Sequence, residues 1–175
     1  MTTGLVFDLP HGRWMDDVLR IRSLYEPARV RFPIEITVAG SSGLGWFSAG
    51  QGKAELLRQV GAVAQGFAPF TFQFGGVARF SGTSVYYLSL REAGQFHFFQ
   101  DRLARCGLRF EPVPFSYVPH CTIAILPEDA VASAHSEVMA CTVPDHDIRI
   151  SSVSFWSVDA SNQQCYQEEC IPLGS

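Results

Sequence analysis

The chain has 175 residues, 13 Lys and Arg against 17 Asp and Glu for a formal net charge of −4, and 47% apolar residues, with 14 Phe. That apolar supply can offset the ordering entropy of a compact fold, which excludes a disordered chain, and the length suits one domain spanning 1–175. The acidic balance excludes the broad basic footprint of a duplex DNA or long RNA binder but leaves room for a small or terminal phosphate ligand.

Leu5 to Leu9, closed by Pro10-His11-Gly12, reads as a buried strand ending in a turn. Trp14, Val18, Ile21 and Leu24 recur at helical spacing until Pro27. Ile34 to Ala39 alternates as a two-faced strand. The Gly- and Ser-rich segment from Gly40 to Gly52 reads as a flexible rim, since it lacks the Lys-Ser/Thr ending of a P-loop. A second helix centres on Leu56, Leu57, Val60 and Val63 and ends near Gly66. Phe70 to Phe74, Gly76 to Phe80 and Val85 to Leu90 follow as a three-stranded meander, with the phenylalanines at 67, 70, 72, 74 and 80 forming a core stripe. A third helix is expected from Glu92 to Cys106, a strand from His120 to Leu126, and a helix opened by Pro127-Glu128-Asp129. Ile148 to Val158 and Gln164 to Ile171 close the chain as strands.

Cys106, Cys121, Cys141, Cys165 and Cys170 are odd in number and lack CxxC spacing, the pattern of reduced thiols in a cytoplasmic protein. The first residues show no basic leader followed by an apolar run, and no stretch reaches the roughly 18 uncharged residues of a membrane span.

Two strands share a local pattern 85 residues apart: Glu35-Ile36-Thr37-Val38-Ala39 and His120-Cys121-Thr122-Ile123-Ala124. Side chains two apart on a strand face the same way, so Glu35 pairs with Thr37 and His120 with Thr122. If the strands lie in pseudo-symmetric halves, the four side chains converge on one cleft. On these motifs, and on the order of elements from residue 4 to 126, the chain resembles the two-histidine phosphoesterase superfamily of 2'-5' RNA ligases and cyclic phosphodiesterases. The resemblance implies an α+β fold of two pseudo-symmetric lobes of antiparallel sheet, with helices packed outside and a central cleft. It also implies catalysis without metal or cofactor on 2',3'-cyclic or 2'-5' phosphodiesters of small nucleotides or RNA ends. In that pattern His120 is an acid or base, Thr37 and Thr122 hold phosphate oxygens, and Glu35 stands where the first histidine is expected.

An imidazole suits proton transfer near neutrality. A carboxylate does not suit an anion site: at ~5 Å and an effective dielectric of ~20 it would repel a phosphate oxygen by about 3 kcal/mol. Glu35 must therefore be protonated, be neutralised by a cation such as Arg31 or Arg79, or belong to a site that no longer holds phosphate; burial can raise a glutamate into the working range of a base. Tyr117 and Phe115 offer faces on which a nucleobase could stack, with core packing as the plainer reading. Of the other histidines, His97, His135 and His146 carry no signal, and His11 is a candidate only by following the first strand. The rival readings are a catalytically impaired member that binds a nucleotide or other small ligand, and an interaction domain using the fold alone.

Overall fold

The computed structural model describes residues 2–159, 161 and 164–174. The first half of the chain runs β1 (Thr2–Asp8), α1 (Trp14–Tyr25), a 3-10 turn (Pro27–Arg31), β2 (Glu35–Ala39), β3 (Trp46–Phe47), α2 (Lys53–Gln65), β4 (Phe70–Phe72), β5 (Phe74–Arg79) and β6 (Val85–Leu90). The rest runs α3 (Gly94–Ala104), β7 (Phe110–Glu111), β8 (His120–Ile125), a 3-10 turn (Glu128–Ala130), α4 (Val131–Met139), β9 (Ile148–Ile150), β10 (Ser152–Asp159) and β11 (Gln164–Pro172). The fold is α+β, as the sequence and its resemblance imply.

One lobe is the four-stranded sheet β11-β10-β1-β2 and the other the three-stranded sheet β5-β6-β8, every pairing antiparallel. In the first, alternation assigns the faces. Leu5, Phe7, Ile36, Val38, Val153 and Phe155 turn inward and are buried. Behind them lie α2 and α3, with Phe96 and Phe99 edge-on to Phe7 at 5.0 and 4.9 Å, a geometry that favours aromatic pairs. The opposite face carries Gly4, Val6, Asp8, Glu35, Thr37, Ser154 and Trp156, matched across the ladders.

The helix that follows the first lobe's opening strand serves the second lobe. Val18 and Ile21 of α1 are wholly buried, and the helix packs on β8. Asp16 and Asp17 lie in its first turn and Arg22 in its last, the arrangement the helix dipole favours. Helix α4 backs β5 and is tied to β6 by the Tyr86 hydroxyl bonded to His135 Nδ1 at 2.8 Å. The helices thus cover the outer faces, and the edge strands β2 and β8 lie against each other between the lobes.

Three expectations are corrected. The run around Phe70 does not join a meander: β4 pairs with β9, and only β5 and β6 form a hairpin. The run from Ile148 to Val158 is two strands in different sheets, because the chain changes partner at Ser151. The Gly40–Gly52 segment is pinned, not loose: Leu44 N donates to Val38 O at 3.0 Å, β3 pairs with β7, and Gly43 at φ 69° sits where a Cβ would meet the Val38 carbonyl.

Candidate functional site

The two edge strands present their polar residues to a common cleft of about 420 Å³, bordered by Glu35, Thr37, His120 and Thr122 together. Period two makes this possible: Ile36, Val38, Cys121 and Ile123 are wholly buried, which leaves their neighbours to face the gap. The strands are tied from beneath by Arg22, itself 1% exposed. Its Nε donates to Ile123 O (2.9 Å) and its Nη2 to Thr122 O (2.7 Å) on β8, while Nη1 donates to Phe32 O (3.0 Å) and Pro33 O (3.3 Å) just before β2. From above, the Tyr117 hydroxyl donates to Thr37 O at 2.9 Å.

His120 is held by one ring nitrogen, with Nδ1 2.6 Å from Val118 O. A carbonyl only accepts, so Nδ1 carries the hydrogen and Nε2 keeps its lone pair. Phe80 and Tyr87, stacked on each other at 4.2 Å, both meet the imidazole edge-on, at 5.0 and 5.2 Å. Burial lowers the His120 pKa below its ordinary value, against the pull of the Val118 carbonyl, so the ring is neutral at pH 7.

Glu35 is driven the other way. Burial pushes its carboxyl up to about 7, with Asp8 adding in the same direction, against the Thr37 hydrogen bond and the positive charges of Arg22 and Arg29. Thr37 Oγ1 donates to Glu35 Oε1 at 2.9 Å, and Oε2 is buried without a hydrogen-bond partner among the described residues. With its carboxyl raised to about 7, Glu35 is partly protonated at neutral pH, which lessens the repulsion expected of a carboxylate. Of the two cations that act on it, Arg22 is the stronger and Arg29 borders the cleft, whereas Arg31 and Arg79 do not. Arg79 lies beside the buried Tyr86, 5.6 Å from its ring centroid, on the far face of the sheet.

Phe115, 55% exposed, borders the cleft. Tyr117 does not: its ring meets His97 and its hydroxyl holds β2. His11, His97, His135 and His146 all lie outside the cleft lining. Phe80, read from sequence as core, belongs to the site. A bulge between Phe74 and Gly76 shifts the register, so Val77 and Arg79 take the face of Leu88 and Tyr86, and Phe80 falls opposite. The Gly75-Gly76 pair was the available signal. Arg29, Ser41, Ser42 and Thr83 also border the cleft, and nothing in their spacing marks them.

Two facing sheet edges each offer the cleft a titratable side chain and a threonine two residues on. Residues 10–162 match the 2'-5' RNA ligase superfamily, and the chain belongs to that family. No curated protein sequence matches it closely enough to count as a relative. Among solved structures, the fold is similar to TT0787 of Thermus thermophilus (TM-score 0.68, 15% identity, 100% of both chains). It is also similar to Escherichia coli LigT complexed with 3'-AMP (TM-score 0.56, 16% identity, 99% of this chain and 98% of that one). Kluyveromyces marxianus Usb1 follows at a TM-score of 0.55 and 13% identity, over 99% of this chain and 98% of that one.

Proposed function

We propose that the chain is a phosphodiesterase of the 2'-5' RNA ligase type, opening 2',3'-cyclic or 2'-5' phosphodiesters of small nucleotides or RNA ends without a cofactor. The observation that carries this reading is the complementary pair in the cleft: a neutral imidazole whose Nε2 has no hydrogen-bond partner among the described residues, and a carboxyl raised to about 7. Surroundings that reverse the ordinary order of the two groups, with the carboxyl now above the imidazole, suit the carboxyl to act as acid and the imidazole as base. Escherichia coli LigT, similar in fold, has been crystallised with 3'-AMP, phosphate, ATP and NADP+, which supports a nucleotide-sized ligand here.

In the proposed step His120 Nε2 takes a proton from water as its oxygen bonds to phosphorus. The bond to one ribose oxygen breaks, and protonated Glu35 gives that oxygen its proton. Thr122 and Thr37 donate to the non-bridging oxygens. Thr37 does so by turning its hydroxyl from Glu35 Oε1 to the phosphate, which leaves the single acidic hydrogen of Glu35 for the leaving oxygen. Bulk water then accepts the proton from His120 and restores that of Glu35.

The second reading is a nucleotide-binding member without turnover, favoured by the hydrogen bond that occupies Thr37 while Glu35 is ionised. Incubating wild type, Glu35→His and His120→Ala with 2',3'-cyclic nucleotides separates the two. The enzyme reading expects turnover by wild type, at least ~100-fold loss in His120→Ala, and kcat/KM falling as pH rises through about 7, where Glu35 loses its proton. Saturable binding without product, with hydrolysis appearing in Glu35→His, would favour the binder. Turnover that survives His120→Ala would remove the assignment.

A further inference from the structure

On the cleft-side face of the four-stranded sheet, beyond Glu35, lies a second recess of about 150 Å³, walled by Trp46, Trp156 and Cys165 and sharing Arg29, Glu35, Thr37 and Ser41 with the main cleft. The backbone is shaped to admit the first indole. A Cβ on Gly4 would stand 3.1 Å from the Trp46 ring and 2.7 Å from the Ala39 carbonyl, and one on Gly40 3.6 Å from Trp46. Gly4 also faces Trp156 directly across the β1–β10 ladder, which puts both indoles at this notch.

Two residues that line this recess, Trp156 and Glu35, each carry a buried polar atom without a partner among the described residues, Nε1 and Oε2. An indole N–H donates to a ring carbonyl, and a carboxyl oxygen accepts from a ring N–H. Leaving such groups unmet is costly, so a ligand edge that meets them is favoured. A cavity of this volume elsewhere holds one benzene ring, and aromatic walls stack planar rings.

We infer that the recess between Trp46 and Trp156 is a binding subsite for one six-membered heteroaromatic ring carrying carbonyl acceptors, the pyrimidine base of a ligand whose phosphate lies in the main cleft. The ring subsite follows from the recess and its two unmet atoms; only the ligand's being a nucleotide rests on the function proposed above.

The test follows the three indole N–H resonances of the full chain, from Trp14, Trp46 and Trp156, during titration with uridine. Expected are saturable shifts of Trp46 and Trp156, with Trp14, buried in the core, unmoved and reporting an intact fold. Trp156→Phe keeps a ring but removes the donor and should weaken uridine about tenfold. Cys165→Phe, on the edge strand β11, should fill the recess and abolish the shifts. Because Cys165 is on a sheet edge, this second variant decides the matter if Trp156→Phe does not fold. Shifts that grow without saturating, that spare Trp156, or that persist with unchanged affinity in Cys165→Phe would overturn the subsite. Saturable indole shifts in a protein that turns over no cyclic nucleotide would sink the proposed enzyme and leave the ring subsite standing.

Discussion

Protonation of Glu35 links the stability of the fold to the chemistry of the cleft. Its carboxyl titrates at about 7 in the folded chain against an ordinary 4.5. Between those values the native state holds more protons than the unfolded one. The contribution is therefore complete below about 4.5 and is lost as pH rises to about 7. A shift of this size corresponds to about 3 kcal/mol. The stability of wild type relative to Glu35→Gln should fall by about that much between pH 4.5 and 8, read from denaturant midpoints. His120, depressed by burial, contributes with the opposite sign: its share is present above its unfolded value and lost as pH falls below it. It is common to both proteins and cancels in the difference, so parallel curves would rule the coupling out. At this scale the sequence was legible where alternation holds: Glu35, Thr37, His120 and Thr122 face one cleft because each strand's intervening residues are apolar. Phe80 was not legible, since one inserted residue at Gly75-Gly76 reverses the parity on which its reading depended.

Between elements, Arg22 does the joining. Among the described residues its guanidinium meets no carboxylate; Nε, Nη1 and Nη2 reach carbonyls on β8 and on the chain leading into β2, with a longer contact to Arg29 O at 3.4 Å. Burial lowers its pKa, the cost of holding the charge out of water. Arg22→Met would leave these carbonyls without donors at ~1–3 kcal/mol each where they stay dry. Urea denaturation should show a loss of at least about 3 kcal/mol, and Arg22→Lys should recover only part, because an ammonium has three donors and no planar fork. An unchanged midpoint would mean water replaces the guanidinium without penalty. Helix α1 was plain from its apolar spacing, yet nothing in that spacing singles out Arg22. Its burial comes from β8, about a hundred residues away, through contacts that local periodicity does not encode. The same holds for β4 and β9, which read as parts of longer runs and found each other as partners.

For the molecule as a whole, a net charge of −4 and a cleft with one bordering cation, Arg29, set the scale of any nucleic-acid contact. A short DNA duplex should show no shift in a gel at micromolar protein and ~0.15 M salt. A bound mononucleotide should weaken by no more than about threefold between ~0.05 and ~0.2 M salt, the slope for a single neutralised phosphate. A steep salt dependence would imply a basic surface beyond the cleft. Among the described residues no helix is long and apolar enough to cross a membrane. The two-lobed layout was legible because the motif repeats. The partition of helices between lobes was not, since α1 follows a strand of one lobe and covers the other.

The opening strand β1 lies between β2 and β10, and its register joins Thr2 to Val158 and Phe7 to Val153. During synthesis one flank of that strand can close soon after residue 39, whereas the other has no partner until the ribosome has passed residue 152. At ~5–20 residues per second the interval is on the order of ten seconds. The second lobe's sheet is available once residue 125 has emerged, so the halves mature in the reverse of their chain order. For those seconds the nascent chain carries an open β-edge, the kind of surface that holdase chaperones shield and that neighbouring nascent chains can capture.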